Sequence, residues 1–129
     1  MEKEALPGIY YGSKAHFNAV KHHCPYAEVI SLVEVDLPPK PGFIHHFLPA
    51  TGWDDLHALF EEAFRILDRA SHKHPVLVHC KIGTVRCPAV IMAYMINRQN
   101  LTADEAFSKM EGISDDFLPS LREYEHETQ

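Results

Sequence analysis

A continuous apolar run is followed, after a short loop, by a second segment that is apolar on nearly every side. The run is Pro75–Val78, and the second segment is Val90–Ile96, with Pro88 just before it. A short run without polar alternation is typical of a central parallel strand, and an all-apolar helix must be buried. The pattern therefore predicts a buried strand that leads into a buried helix. Pro88 is expected at the first helical position, where its missing N–H costs nothing.

Strand and helix signals alternate along the rest of the chain. Strands are predicted at Ile9–Tyr11, Glu28–Val35 and Phe43–Leu48, and helices after the caps Ser13, Asp54 and Thr102 and between Ser114 and Glu125. This alternation predicts an α/β fold with a central, mainly parallel sheet flanked by helices. A chain of 129 residues has room for one core, so residues 1–129 are expected to form a single domain.

Composition narrows the classes of protein that this chain can belong to. Eighteen acidic residues against 12 basic ones give a formal charge of −6, which argues against a nucleic-acid-binding surface. The charged start Met1–Glu4 and the lack of a long apolar run predict neither a signal peptide nor a transmembrane segment. Three cysteines fit a reducing compartment. We therefore expect a soluble cytoplasmic protein, whose oligomeric state the sequence leaves open.

The loop between the predicted buried strand and helix carries the chemistry. Its backbone N–H groups can converge on an anion, with help from the dipole of the following helix. Gly83 permits the turn, and the guanidinium of Arg86 can bind two phosphate oxygens. The same environment would stabilise a thiolate at Cys80 and make that cysteine a nucleophile.

The segment His79–Cys80 through Gly83 to Arg86 resembles the signature loop of the cysteine-based protein tyrosine phosphatases, H-C-x-x-G-x-x-R. Leu6–Gly12 is similar to the first-strand region of the dual-specificity subgroup, and the similarity covers nearly the whole chain. The resemblance implies a dual-specificity-type fold and catalytic domain that needs neither a cofactor nor a metal. Paired histidines such as His72 and His74 have no recognised zinc-site spacing.

The resemblance also assigns roles within the loop. Cys80 would be the nucleophile that forms a phosphocysteine, and Arg86 would bind the phosphoryl oxygens. His79 would hold the loop and help to set the pKa of Cys80. The substrate-binding cradle would be built from consecutive loop residues: Lys81, Ile82, Gly83, Thr84, Val85 and Arg86.

Two positions depart from the family pattern. Cys87 stands where the family has a serine or threonine whose hydroxyl contacts the nucleophile. Ala50 falls where the family has the aspartic acid that protonates the leaving group. We take Asp54 as the first candidate for this acid and Asp55 as the second, with His45 and His46 as weaker alternatives.

Three functions remain open from the sequence. The first is a phosphomonoester hydrolase that acts on phosphotyrosine and on phosphoserine or phosphothreonine in proteins, or on another phosphomonoester such as a phosphoinositide or an RNA 5′-phosphate. The second is a pseudophosphatase that binds phosphorylated ligands with little turnover, which the alanine at position 50 favours. The third is a sulfur- or arsenate-handling enzyme with a related anion loop.

Overall fold

A five-stranded sheet forms the centre of the computed structural model, which describes residues 2–128. In chain order the elements are β1 (Lys3–Leu6), β2 (Ile9–Ser13), α1 (Lys14–Val20), β3 (Glu28–Ser31), β4 (Ile44–Phe47), α2 (Trp53–Leu67), β5 (Val76–Cys80), α3 (Arg86–Gln99), α4 (Ala103–Ser108) and α5 (Leu118–Thr128). The strand order is β1-β2-β5-β3-β4, with parallel pairing everywhere except between β1 and β2. The predicted α/β architecture is confirmed.

The sheet separates two apolar clusters. The smaller one packs α1 on one face, where Phe17 shares a cluster with Leu77 of β5 and makes an edge-to-face contact with Phe43, just before β4. The larger one packs α2–α5 on the other face and includes Val78 and Cys80. Alternate residues of a strand point to opposite faces, so the Cys80 side chain points towards α3 and the His79 side chain towards α1.

Several element boundaries differ from the predicted ones. Strand β1 was not predicted because two of its four residues are charged; it pairs with β2 through the turn at Gly8, whose φ is +79°. The strand predicted to reach Val35 ends at Ser31. Helix α3 begins at Arg86, so the prediction of Pro88 at its first position is wrong. Pro88 is still tolerated there, since first-turn N–H groups have no partner inside a helix.

Three helix caps were predicted, of which Ser13 and Thr102 are confirmed and Asp54 is wrong. Ser13 accepts a hydrogen bond from the His16 N–H, and Thr102 forms the predicted capping box with Glu105. Asp54 does not cap α2, because Gly52 occupies the N-cap without a side-chain bond. Asp54 instead lies in the first turn, where its charge favours the positive end of the helix dipole.

Candidate active site

The loop from Cys80 to Arg86, hereafter the anion loop, lies at the carboxyl end of β5 and is fixed from both sides. The Lys14 N–H at the start of α1 donates to the Lys81 carbonyl (3.1 Å). The Ser114 N–H donates to the Thr84 carbonyl (2.7 Å). Parallel strands place their carboxyl ends at one edge, which is where open α/β sheets bind ligands.

Gly83 is the position at which the anion loop touches the sheet. Its φ is +90°, a conformation that favours glycine. A Cβ built on Gly83 would lie 2.7 Å from the carbonyl carbon of Gly12 in β2. Backbone therefore packs directly on backbone here, and the loop depends on glycine at this position. The exposed loop residues are Lys81 and Ile82, whereas Thr84, Val85 and Arg86 are half-buried.

Cys80 is buried at the floor of the loop, with 2% of its surface exposed. The Gly83 N–H donates to its Sγ atom (3.3 Å), and the Sγ atom of Cys87 lies 3.5 Å away. The Cys87 thiol is the strongest of the donors that lower the pKa of Cys80 to about 5, although burial opposes them. Backbone N–H groups of residues 83, 86 and 87 are the other donors. A thiol with this pKa is ionised at neutral pH.

Cys87 is fully buried and keeps its proton. Burial, followed by the neighbouring Cys80, raises the pKa of the Cys87 thiol well above its ordinary value. Its Sγ atom also lies 3.6 Å from the Gly12 carbonyl, a second acceptor for the single thiol proton. The family resemblance puts the side chain of residue 87 in contact with the nucleophile, and the 3.5 Å between the two Sγ atoms agrees.

Arg86 reaches from the loop to the segment that follows β4. Its Nη1 group donates to the Ala50 carbonyl (2.7 Å). This bond orients the guanidinium, whose Nε and Nη2 groups have no protein acceptor within residues 2–128. Those groups are the fork that a phosphate or other oxyanion would accept from. The position expected to hold the acid thus contributes a backbone carbonyl to the arginine instead.

The His79 ring is completely buried and stacks on Phe17, with ring centroids 4.7 Å apart. Burial lowers the pKa of His79 to about 4, so the ring is neutral at physiological pH. It therefore adds no positive charge beside Cys80. Its Nδ1 atom faces the Cys80 carbonyl (3.5 Å), and its Nε2 atom faces the Ser31 hydroxyl (2.6 Å).

The candidate acids lie at the start of α2. Asp54 is exposed, and within residues 2–128 its carboxylate has no hydrogen bond to the anion loop. Asp55 accepts hydrogen bonds from the Thr51 hydroxyl (2.8 Å) and N–H (3.2 Å). These bonds lower the pKa of Asp55, which favours its ionised form.

Two histidines considered from the sequence have separate partners in β3. His45 contacts Ser31 (2.8 Å), and His46 contacts Glu28 (2.7 Å). Ser31 itself was missed by sequence reasoning, because a lone serine at a strand end carries no signal of its own. The parallel register, which aligns Ser31 with His79, is what brings it to the site.

Metal ligands and membrane spans were sought within residues 2–128. No cluster of three or more histidine, cysteine, aspartate or glutamate side chains there is arranged to hold a metal ion. No helix in that range is both long and apolar enough to cross a bilayer.

Comparison with known proteins places this arrangement in a family. The family model for the dual specificity phosphatase catalytic domain matches residues 18–127. Protein-tyrosine-phosphatase IBR5 of Arabidopsis thaliana is 30% identical over 131 residues, which cover 95% of this chain and 50% of that protein. The chain spans half or less of the length of the curated relatives that it matches.

Two solved structures share the fold. A variant of human DUSP28 has a TM-score of 0.79 at 20% identity, with 98% of this chain and 94% of that chain covered. The human tyrosine phosphatase-like serine/threonine/tyrosine-interacting protein has a TM-score of 0.72 at 18% identity, with 97% and 95% covered. The expected dual-specificity-type fold is confirmed. By the family match over residues 18–127, the chain belongs to the dual specificity phosphatase catalytic-domain family.

Proposed function

We propose that this chain hydrolyses phosphomonoesters, phosphorylated proteins among them, through a phosphocysteine on Cys80. The observation that carries the proposal is the buried Cys80 sulfur, whose pKa is lowered to about 5 by donors that converge on it from Cys87 and from the loop backbone. Donors that stabilise a thiolate would equally bind the oxygens of a phosphoryl group brought to the same point. Family membership supports phosphatase chemistry in general.

The reaction divides into two displacements at phosphorus. The Cys80 thiolate attacks, so that the S–P bond forms while the P–O bond to the leaving group breaks. Arg86 and the loop N–H groups hold the three remaining oxygens, whose charge the planar guanidinium can match with two hydrogen bonds. Water then attacks the phosphocysteine, the S–P bond breaks, and inorganic phosphate leaves with the thiolate restored.

Phosphate release from an aryl phosphate tests this mechanism. Cys80→Ser should abolish turnover while still binding an inert oxyanion such as tungstate. Arg86→Lys should lose roughly 100-fold or more in kcat, because lysine cannot form the two-point contact. Wild-type turnover by Cys80→Ser would disprove the covalent step. A parallel assay of sulfur transfer from thiosulfate should be negative, and a positive result would favour the sulfur-handling alternative.

A phospho-ligand-binding module with little turnover is the second candidate. Ala50 favours it, because this alanine stands at the position expected for the acid and its carbonyl accepts from Arg86. One of the structural relatives is itself named as a phosphatase-like interacting protein, so the fold is compatible with either function. The two candidates differ in how turnover depends on the leaving group.

Turnover of a series of aryl phosphates with different leaving groups distinguishes the hydrolase from the binding module. Without an acid, kcat should fall steeply as the leaving group becomes more basic, and alkyl phosphates should be bound but not cleaved. Ala50→Asp should flatten this dependence and leave the best leaving groups unaffected. A flat dependence in the wild type would indicate an acid elsewhere, which Asp54→Asn would then test. Phosphate binding with no turnover on any ester would favour the binding module.

A further inference from the structure

A chain of hydrogen bonds runs from the surface to the backbone of the nucleophile. His45 Nε2 lies 2.8 Å from the Ser31 hydroxyl, which lies 2.6 Å from His79 Nε2. His79 Nδ1 in turn faces the Cys80 carbonyl at 3.5 Å. Ser31 and His79 are both fully buried, so their polar atoms have no access to water. A buried polar atom that loses its partner is left unsatisfied, which destabilises the folded state.

The Cys80 carbonyl fixes the direction of every bond in this chain. A carbonyl can only accept, so His79 Nδ1 carries the proton. The neutral His79 ring then has a bare Nε2, which accepts from the Ser31 hydroxyl. The Ser31 oxygen, having donated its proton onward, accepts from the Nε2–H of His45. In the reverse direction the bare Nδ1 of His79 would face the carbonyl oxygen, and two lone pairs would repel each other.

We propose that His45 and Ser31 are positioning residues for the nucleophile. They hold His79 in the tautomer whose Nδ1–H donates to the Cys80 carbonyl, and this bond fixes the peptide at which the anion loop begins. The loop N–H groups can aim at the Cys80 sulfur only if that first peptide is correctly oriented. The proposal rests on the proposed function, since it concerns the same sulfur.

His45 is the accessible end of the chain. It is half-buried, stacks on Phe47 with centroids 6.3 Å apart, and lines a cleft of about 510 Å³ beside Lys14. The titratable groups that act on His79 from the neighbouring elements are His45, His16 and Lys14. Position 45 therefore tolerates substitution better than the buried Ser31, so it is the better position at which to interrupt the series of hydrogen bonds.

The test measures the Cys80 thiolate directly, as the pH dependence of alkylation by iodoacetamide in the absence of substrate. His45→Phe keeps the aromatic stacking but removes the donor, so the midpoint of the alkylation profile should rise by about half a pH unit. Ser31→Ala should raise it by about one unit, a tenfold change in the ionisation constant. His45→Gln places an amide donor near the same point and should restore the wild-type midpoint.

His46→Phe is the matched control. It removes an equally short contact between the same two strands, the 2.7 Å bond to Glu28, on the opposite face of the sheet. Its alkylation midpoint should stay at the wild-type value even if the protein is less stable. Equal midpoints in wild type and His45→Phe, with both folded, would overturn the proposal. So would an equal shift in His46→Phe. If the alkylation midpoint shifts as expected in these variants but the wild type hydrolyses no phosphate ester, the proposed function is wrong and the positioning role of His45 and Ser31 stands.

Discussion

Cys87, which directly follows the anion loop, is the residue that most distinguishes the candidate site chemically from the family pattern. Its protonated thiol supplies the strongest hydrogen bond to the Cys80 thiolate, in place of the hydroxyl that the resemblance leads one to expect. A thiol in this position can do what a hydroxyl cannot, which is to form a bond to an oxidised sulfur. The 3.5 Å between the two Sγ atoms has to shorten to about 2.05 Å for a disulfide.

We predict that mild peroxide inactivates the protein reversibly. Peroxide converts the Cys80 thiolate to a sulfenic acid, and the Cys87 thiol then displaces water to form a disulfide. Dithiothreitol should reverse this, and a peptide map should contain the Cys80–Cys87 link. Cys87→Ser should instead become irreversibly inactive, because the sulfenic acid oxidises further. Equal recovery of Cys87→Ser and wild type would contradict the prediction.

Cys24→Ser is the control for the disulfide experiment. Cys24 packs in the cluster on the α1 face of the sheet, whereas Cys80 and Cys87 belong to the cluster on the other face. Burial raises the pKa of the Cys24 thiol, so it is also a poor nucleophile at neutral pH. Cys24→Ser should therefore recover from peroxide as the wild type does.

At the scale of elements, the anion loop takes its shape from strand β2. Gly83 packs on the backbone of Gly12, and the Cys87 thiol lies near the Gly12 carbonyl. Because the contact on the β2 side is backbone rather than a flexible side chain, it cannot yield to a larger residue. A side chain larger than hydrogen at position 83 would therefore push the loop away from strand β2.

Gly83→Ala should separate them. The added Cβ would lie 2.7 Å from the Gly12 carbonyl carbon and 2.9 Å from its oxygen, and the φ of +90° adds strain. A displacement of about 1 Å in the loop N–H groups should cost roughly 100-fold in kcat/KM on an aryl phosphate. Gly42→Ala is the control, since a Cβ there meets nothing within 4 Å. Unchanged kcat/KM in Gly83→Ala would show that the loop adapts.

At the scale of the whole molecule, one buried carboxylate connects its own strand to three other parts of the chain. Glu28, at the start of β3, is 1% exposed and accepts from Arg69 after α2, with N–O distances of 2.7 and 3.1 Å. It also contacts His74, just before β5, and His46 of β4. The cluster lies at the amino ends of the parallel strands, opposite the anion loop.

Glu28 should make stability depend on pH in the acid range. Hydrogen bonds from Arg69, then from His74 and His46, lower its pKa from 4.5 to about 2 in the folded state, although burial opposes them. A lowered acid pKa contributes stability that is complete above pH 4.5 and is lost as the pH falls towards 2. Glu28→Gln should cost about 3 kcal/mol at pH 7, since it leaves the basic partners of a buried carboxylate unpaired.

Urea unfolding between pH 7 and pH 3 checks this prediction. The difference in free energy of unfolding between wild type and Glu28→Gln should shrink as the pH falls, because only the wild type loses a titrating contact. Glu62→Gln, at an exposed position on α2, should match the wild type throughout. A difference that stays constant down to pH 3 would mean that Glu28 acts through packing rather than charge.

The sequence predicted the elements and motifs whose signals come from residues close together along the chain. Apolar periodicity identified β5 and the buried helix α3, and the spacing of Cys80, Gly83 and Arg86 identified the loop. It did not predict contacts made through the sheet. Ser31 reaches the His79 ring, and His46 reaches Glu28, only because β3 lies between β4 and β5. Strand order is set by packing of the whole chain, so such pairs leave no trace in local sequence. That Cys80 is a nucleophile stays a prediction.

The strand order also has a consequence for the nascent chain. β2 and β3 are synthesised early but do not touch, because β5, made much later, fills the gap between them. Until residues 76–80 arrive, the two parallel edges have no partner and the sheet is incomplete. The sulfur of Cys80 lies at the end of that last strand, so before the sheet closes it is an ordinary thiol with a pKa of about 8.5. The donors that lower this pKa lie in residues 83–87, which follow β5 in the chain, so the thiolate forms only when the anion loop and the start of α3 fold against the completed sheet.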